Sequence, residues 1–100
     1  MNGNYDSAIY YYQLALPYRT HKKDYREEGK IICNIGLANY YNGKVHNSIR
    51  LFGQAIVCFR KVGDSVNTAE CFNAMASFLN NIGEYEKALK SYIAARKIFE

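Results

Sequence analysis

Apolar residues recur along most of this chain at three- and four-residue steps, the spacing that collects side chains on one face of an α-helix. Ile31, Ile32, Ile35, Ala38 and Tyr41 follow that step and predict a helix from about Arg26 to Tyr41. Asn42-Gly43 ends it, because a residue just past a helix end enters the left-handed region most cheaply as Gly or Asn. Val45, Ser48, Ile49, Phe52, Ala55, Ile56 and Phe59 form the stripe of a second helix, from about Val45 to Lys61. Val62-Gly63-Asp64-Ser65 closes the pair, and Ser65 or Asp64 is placed to cap the next helix. The pattern then repeats. Phe72, Met75, Ala76, Leu79 and Ile82 face inward on a helix from about Val66 to Asn81, and Ile82-Gly83 makes the turn. Tyr85, Ala88, Leu89, Tyr92, Ala95 and Phe99 form the stripe of a helix from about Tyr85 to Phe99.

The N-terminal stretch matches the second helix of each pair through Tyr5, Ala8, Ile9, Tyr12, Ala15 and Leu16. No first helix precedes it. Pro17, which lacks a donor and clashes with the carbonyl four residues back, predicts a stop or kink near Leu16. The result is an all-α helix-turn-helix repeat solenoid of about five helices. It divides into a half repeat over 1–20, a repeat over 24–63 and a repeat over 64–100.

The spacing is regular. Gly3, Gly43 and Gly83 lie forty residues apart, and each opens a similar segment: Gly3-Asn4-Tyr5-Asp6-Ser7-Ala8-Ile9, Gly43-Lys44-Val45-His46-Asn47-Ser48-Ile49, Gly83-Glu84-Tyr85-Glu86-Lys87-Ala88-Leu89. A period in this range marks stacked supersecondary units. Such units cannot bury their apolar faces singly, and they act through an extended surface. The half unit at one end and Ile98-Phe99-Glu100 at the other lack polar caps, which predicts an array continued by further repeats or by another chain, including a homo-oligomer formed through the open repeat ends.

The repeat resembles the tetratricopeptide family across essentially the whole chain. The resemblance rests on Gly36, Gly43, Val45, Ser48, Phe52 and Ala55 in one unit and on Ala76, Gly83, Tyr85, Ala88, Tyr92 and Ala95 in the next. Gly3, Tyr5, Ala8, Tyr12 and Ala15 supply the half unit. Small residues allow close helix approach and aromatics fill the space beside them. The period of forty instead of thirty-four, and the missing proline after the second helix, resemble a subgroup of that family. That subgroup includes scaffolds for extended peptides and regulators that sense short peptides.

The resemblance implies a right-handed superhelix whose first helices line a concave groove. The peptide-contacting residues would then be Lys30, Asn34, Leu37 and Tyr41 in one unit and Asn73, Ser77, Asn80 and Asn81 in the next, with Cys33, Glu70 and Ala74 on the same faces. Amide side chains both donate and accept, so they can hold a peptide backbone of any sequence. Leu37 and Tyr41 would add apolar contact. Asparagine is a mediocre helix former, so four of them on these faces favour a binding role. Asn34 matches the asparagine of the family's carboxylate clamps, but Glu70 and Ala74 stand where lysine and arginine are needed, which argues against binding of chaperone C-terminal tails. The function expected is a protein-interaction scaffold that binds a peptide; the alternative is a peptide-sensing regulatory domain of a larger signalling protein.

Composition adds exclusions. Net charge is +4, and basic residues pair only at Lys22-Lys23, Arg60-Lys61 and Arg96-Lys97, too sparse for the stripe that nucleic acid requires. No run of eighteen apolar residues is present and the N-terminus lacks a leader pattern, so neither membrane nor secretion is expected. Cys33, Cys58 and Cys71 are an odd set without CxxC spacing, as in reduced thiols of a cytoplasmic protein. His21 and His46 are isolated, Glu27-Glu28 reads as a solvated face, and no catalytic or metal-ligand motif occurs. No enzyme activity, metal or cofactor is expected. Among ten tyrosines, Tyr12 fits the core while Tyr10 and Tyr11 face outward with Tyr18 nearby; this reads first as a half-buried face that packs on a preceding helix, and alternatively as a partner or self-association surface.

Overall fold

The computed structural model describes residues 24–99. The expected helix over the N-terminal half repeat, with Pro17 and the tyrosine cluster, lies outside them. Four α-helices follow one another: α1 (Tyr25–Tyr41), α2 (Val45–Lys61), α3 (Ser65–Asn81) and α4 (Tyr85–Ile98). No strand occurs among the described residues. Successive helices pack as antiparallel neighbours, α1 on α2, α2 on α3 and α3 on α4. The helix starts fall every twenty residues, so each forty-residue unit is one helical hairpin.

The three turns are built alike. Gly43, Gly63 and Gly83 have φ of 82°, 68° and 83°, the region a Cβ disfavours. After each glycine the next amide reaches back over the helix end: Lys44 N–H to Asn39 O at 2.8 Å, Asp64 N–H to Phe59 O at 2.9 Å, Glu84 N–H to Leu79 O at 2.8 Å. These bonds satisfy carbonyls that the helix ends leave open. The hairpins differ at their starts. Asp24 and Asp64 accept from the backbone N–H of Glu27 and Asn67, capping α1 and α3. Lys44 and Glu84, before α2 and α4, make no side-chain cap. Ser65 is thus the first residue of α3, and Asp64 is its cap.

The core runs through the first hairpin and on to α3. Ile32 from α1, Phe52, Ala55, Ile56 and Phe59 from α2, and Cys71 and Phe78 from α3 are buried together. Close approach needs glycine on α1: a Cβ at Gly29 would lie 2.8 Å from the Phe59 ring, and one at Gly36 would lie 2.9 Å from the Phe52 ring. Asn39, absent from the predicted stripe, is also buried, and its Nδ2 donates to Ile35 O at 2.9 Å. Thr68, Ala69, Cys71 and Phe78 are buried on α3 beside the expected Ala76 and Leu79.

Several expected core positions are exposed. Tyr41 and Ile82, each within two residues of a turn glycine, face solvent. On α4 only Ala88 and Ala95 are buried, while Tyr85, Leu89, Tyr92 and Phe99 keep 66%, 59%, 43% and 66% of their accessible area. The equivalent stripe on α2 lies between α1 and α3. Among the described helices α4 packs chiefly on α3, which covers its alanines and leaves its larger apolar side chains open. No helix among the described residues is long and apolar enough to cross a membrane.

Candidate functional site

Because hairpins stack with one repeat unit per step, α1 and α3 lie side by side as equivalent helices. Side chains join them at three levels. Near their N-termini Arg26 Nε donates to Asp64 Oδ2 at 2.9 Å. Midway, Cys33 Sγ and Cys71 Sγ are 3.5 Å apart. Near their C-termini the Tyr40 ring stacks on Phe78 with centroids 4.1 Å apart, and Asn81 Nδ2 donates to the Tyr40 hydroxyl at 2.6 Å. These pairings span 38, 38 and 41 residues for Arg26–Asp64, Cys33–Cys71 and Tyr40–Asn81. Each links a position on one unit to nearly its equivalent on the next.

An open cavity of about 380 Å³ lies along this seam. Lys30, Cys33, Asn34 and Leu37 line it from α1, Lys30 and Leu37 each lying three or four residues from both Cys33 and Asn34 on one helix face. Asn67, Glu70, Cys71 and Ala74 line it from α3 with the same spacing, and Phe52 and Phe59 of α2 form the floor. The wall therefore combines an ammonium, a carboxylate, two amides, two thiols and an apolar base. Lys30 Nζ also lies 3.7 Å from the Glu27 carboxylate, an exposed pair that salt would screen.

Of the residues expected to contact a peptide, the cavity gathers Lys30, Asn34 and Leu37. Tyr41, Asn73, Ser77, Asn80 and Asn81 are exposed and stand outside its lining. Asn81 is engaged with Tyr40, and the Tyr41 ring meets that of Tyr40 edge to face at 5.4 Å. Asn67, Phe52 and Phe59 were not expected as lining. Asn67 lies in the first turn of α3, where the sequence reads as a cap, and the phenylalanines read as plain core. A signal for them exists in Gly29 and Gly36, whose missing side chains let α1 approach the two rings closely.

The Asp64 carboxyl is held below its ordinary value of 3.8, chiefly by the Asn67 backbone N–H, then by the Asn67 amide 2.7 Å away and the Arg26 guanidinium. The Cys71 thiol is pushed up, first by its hydrogen-bonding contact with Cys33, then by burial and the Glu70 and Asp64 carboxylates. Burial, followed by the Glu28 charge, also raises the Cys58 thiol. All three cysteines are free. Among the described residues no group of three or more His, Cys, Asp or Glu side chains converges as a metal site.

Comparison with known proteins gives one partial likeness. The chain is 31% identical over 58 residues to the Tonsoku-like protein of Danio rerio, a stretch covering 58% of this chain and 4% of that protein. No family model matches the chain. No solved structure matches it significantly.

Proposed function

We propose that this chain is a tetratricopeptide-type binding module that holds a segment of a partner protein along the α1/α3 seam, without catalysing a reaction. The observation that carries this reading is the pair of matched helix faces: Lys30, Asn34 and Leu37 oppose Asn67, Glu70 and Ala74 across one open cavity with an aromatic floor. Amides bind peptide backbone through donor and acceptor alike. Lys30 and Glu70 set opposite charges on the two walls, which orients a segment carrying complementary charges. Leu37, Ala74 and the phenylalanine floor accept an apolar side chain between them. The forty-residue period and the close Gly36–Phe52 approach support assignment to the repeat family. The likeness to Tonsoku-like protein covers so little of that protein that its activity adds nothing about this partner.

A random-peptide display selection on the chain, followed by titration of the selected peptides, tests the assignment. Asn34→Ala combined with Leu37→Ala should weaken binding by about tenfold or more, equivalent to about 1.4 kcal/mol. Asn47→Ala, exposed on α2 away from the cavity lining, should leave affinity unchanged. Equal affinities for all three proteins would overturn the assignment.

A further inference from the structure

Cys33 and Cys71 come from different repeat units, 38 residues apart, yet their sulfurs are 3.5 Å apart. Both line the open cavity, Cys33 half-buried and Cys71 buried beneath it. A disulfide has an S–S length of about 2.05 Å, so bonding requires an approach of roughly 1.5 Å from this contact. The seam is already fixed on either side by Arg26–Asp64 and by Tyr40–Asn81, so the two thiols need no search through conformations. Cys58 is buried in the core and serves as an internal comparison.

We propose that Cys33 and Cys71 form a modification site: a paired dithiol that a peroxide oxidises to an intramolecular disulfide, stapling α1 to α3 along the wall of the cavity. Cys33 is the entry point because it is the more exposed sulfur and the cavity opens to solvent. Its thiolate attacks one peroxide oxygen, the O–O bond breaks, and one water leaves after protonation. Cys33 is then a sulfenic acid. Cys71 attacks that sulfur and loses its proton, the S–O bond breaks, and a second water leaves. Two thiols have given up two electrons and two protons to one peroxide. Cys71 is buried and Cys33 is not, so the peroxide meets Cys33 first, which fixes the order of the two steps. The disulfide narrows the seam where Asn34 and Leu37 face Ala74, but its formation does not depend on the peptide-binding reading.

Trypsin separates the three cysteines into peptides 31–44, 51–60 and 62–87. The native chain is treated with stoichiometric hydrogen peroxide, then denatured, alkylated and digested without reduction. The expected product joins 31–44 to 62–87 with loss of two hydrogens, while 51–60 carries the alkylating label. Cys33→Ser and Cys71→Ala should each abolish the joined peptide, and Cys58→Ala should retain it. Cys33→Ser changes a half-buried side chain and so tests the site even if Cys71→Ala unfolds. Under denaturant the same oxidation should scatter over all pairings. The proposal is overturned by sulfinic acid on Cys33 with Cys71 still reduced. It is equally overturned by native pairing with Cys58, or by linkage found only between two molecules on non-reducing electrophoresis.

Discussion

The Arg26 guanidinium donates to the Asp64 carboxylate at 2.9 Å, joining the first turn of α1 to the cap of the equivalent helix one repeat later. Asp64 performs two tasks with one carboxylate. Oδ1 accepts from the Asn67 backbone N–H, and Oδ2 takes Arg26 and the Asn67 amide. Local helix capping and the register between repeats thus meet in one side chain.

Removing that side chain should therefore cost more than removing its partner. Asp64→Ala should destabilise by about 1 kcal/mol through loss of the cap alone. Arg26→Ala should cost about 0.2–1 kcal/mol, since the Arg26 side chain keeps 51% exposure and exposed pairs are weak. Urea denaturation of the two variants beside wild type checks the order.

The same carboxylate makes stability depend on pH. Its folded value lies below the ordinary 3.8, so its stabilisation is complete above that pH and disappears as pH falls through the lower, folded value. Thermal midpoints measured from neutral pH to below 3 should fall less steeply in Asp64→Asn than in wild type. Identical acid profiles for the two proteins would remove Asp64 from the account.

Glycines at helix interiors should respond in opposite directions. A Cβ at Gly36 meets the Phe52 ring at 2.9 Å, whereas one at Gly53 meets nothing within 4 Å. Gly53→Ala should stabilise by about 0.5–1 kcal/mol, the propensity difference in a helix interior. Gly36→Ala gains the same propensity but forces Phe52 aside, an overpacking cost of about 1–3 kcal/mol. Its net effect should be destabilising. Chemical denaturation of both single variants reads the two signs.

Ser48 sits fully buried on α2, and its hydroxyl has no hydrogen-bond partner among the described residues. The equivalent position one repeat later is Ala88, also buried. Ser48→Ala should therefore be neutral or stabilising by about 1 kcal/mol, because an unpaired buried hydroxyl carries its desolvation cost uncompensated. A lower denaturation midpoint in the variant would count against that environment.

The open stripe on α4 predicts self-association. Tyr85, Leu89 and Tyr92 form one face of that helix and remain exposed. Leu89→Glu with Tyr92→Glu should lower the average mass seen by light scattering at high concentration and leave helical circular dichroism unchanged. A wild-type chain that stays monomeric across a hundredfold concentration range would refute the prediction.

By itself the sequence determined the helices, the turns and one cap. The bounds of α2 agree with the periodicity, and those of α1, α3 and α4 differ by a single residue at one end. The glycines at 43, 63 and 83 and the cap at Asp64 were legible for the same reason: capping and helical spacing involve residues within a few positions of one another. Three of the eight expected groove residues, Lys30, Asn34 and Leu37, line the cavity, because a single helix face can be read from single-helix spacing. The tertiary structure alone decided what lies across from that face. Which rung of α1 meets which rung of α3 depends on how two hairpins slide against each other. That offset brings Cys33 to Cys71 and places Asn67 in the wall. It also decided that the apolar stripe of α4 stays open: periodicity marks a face as suited to burial, but only a packed neighbour removes it from water.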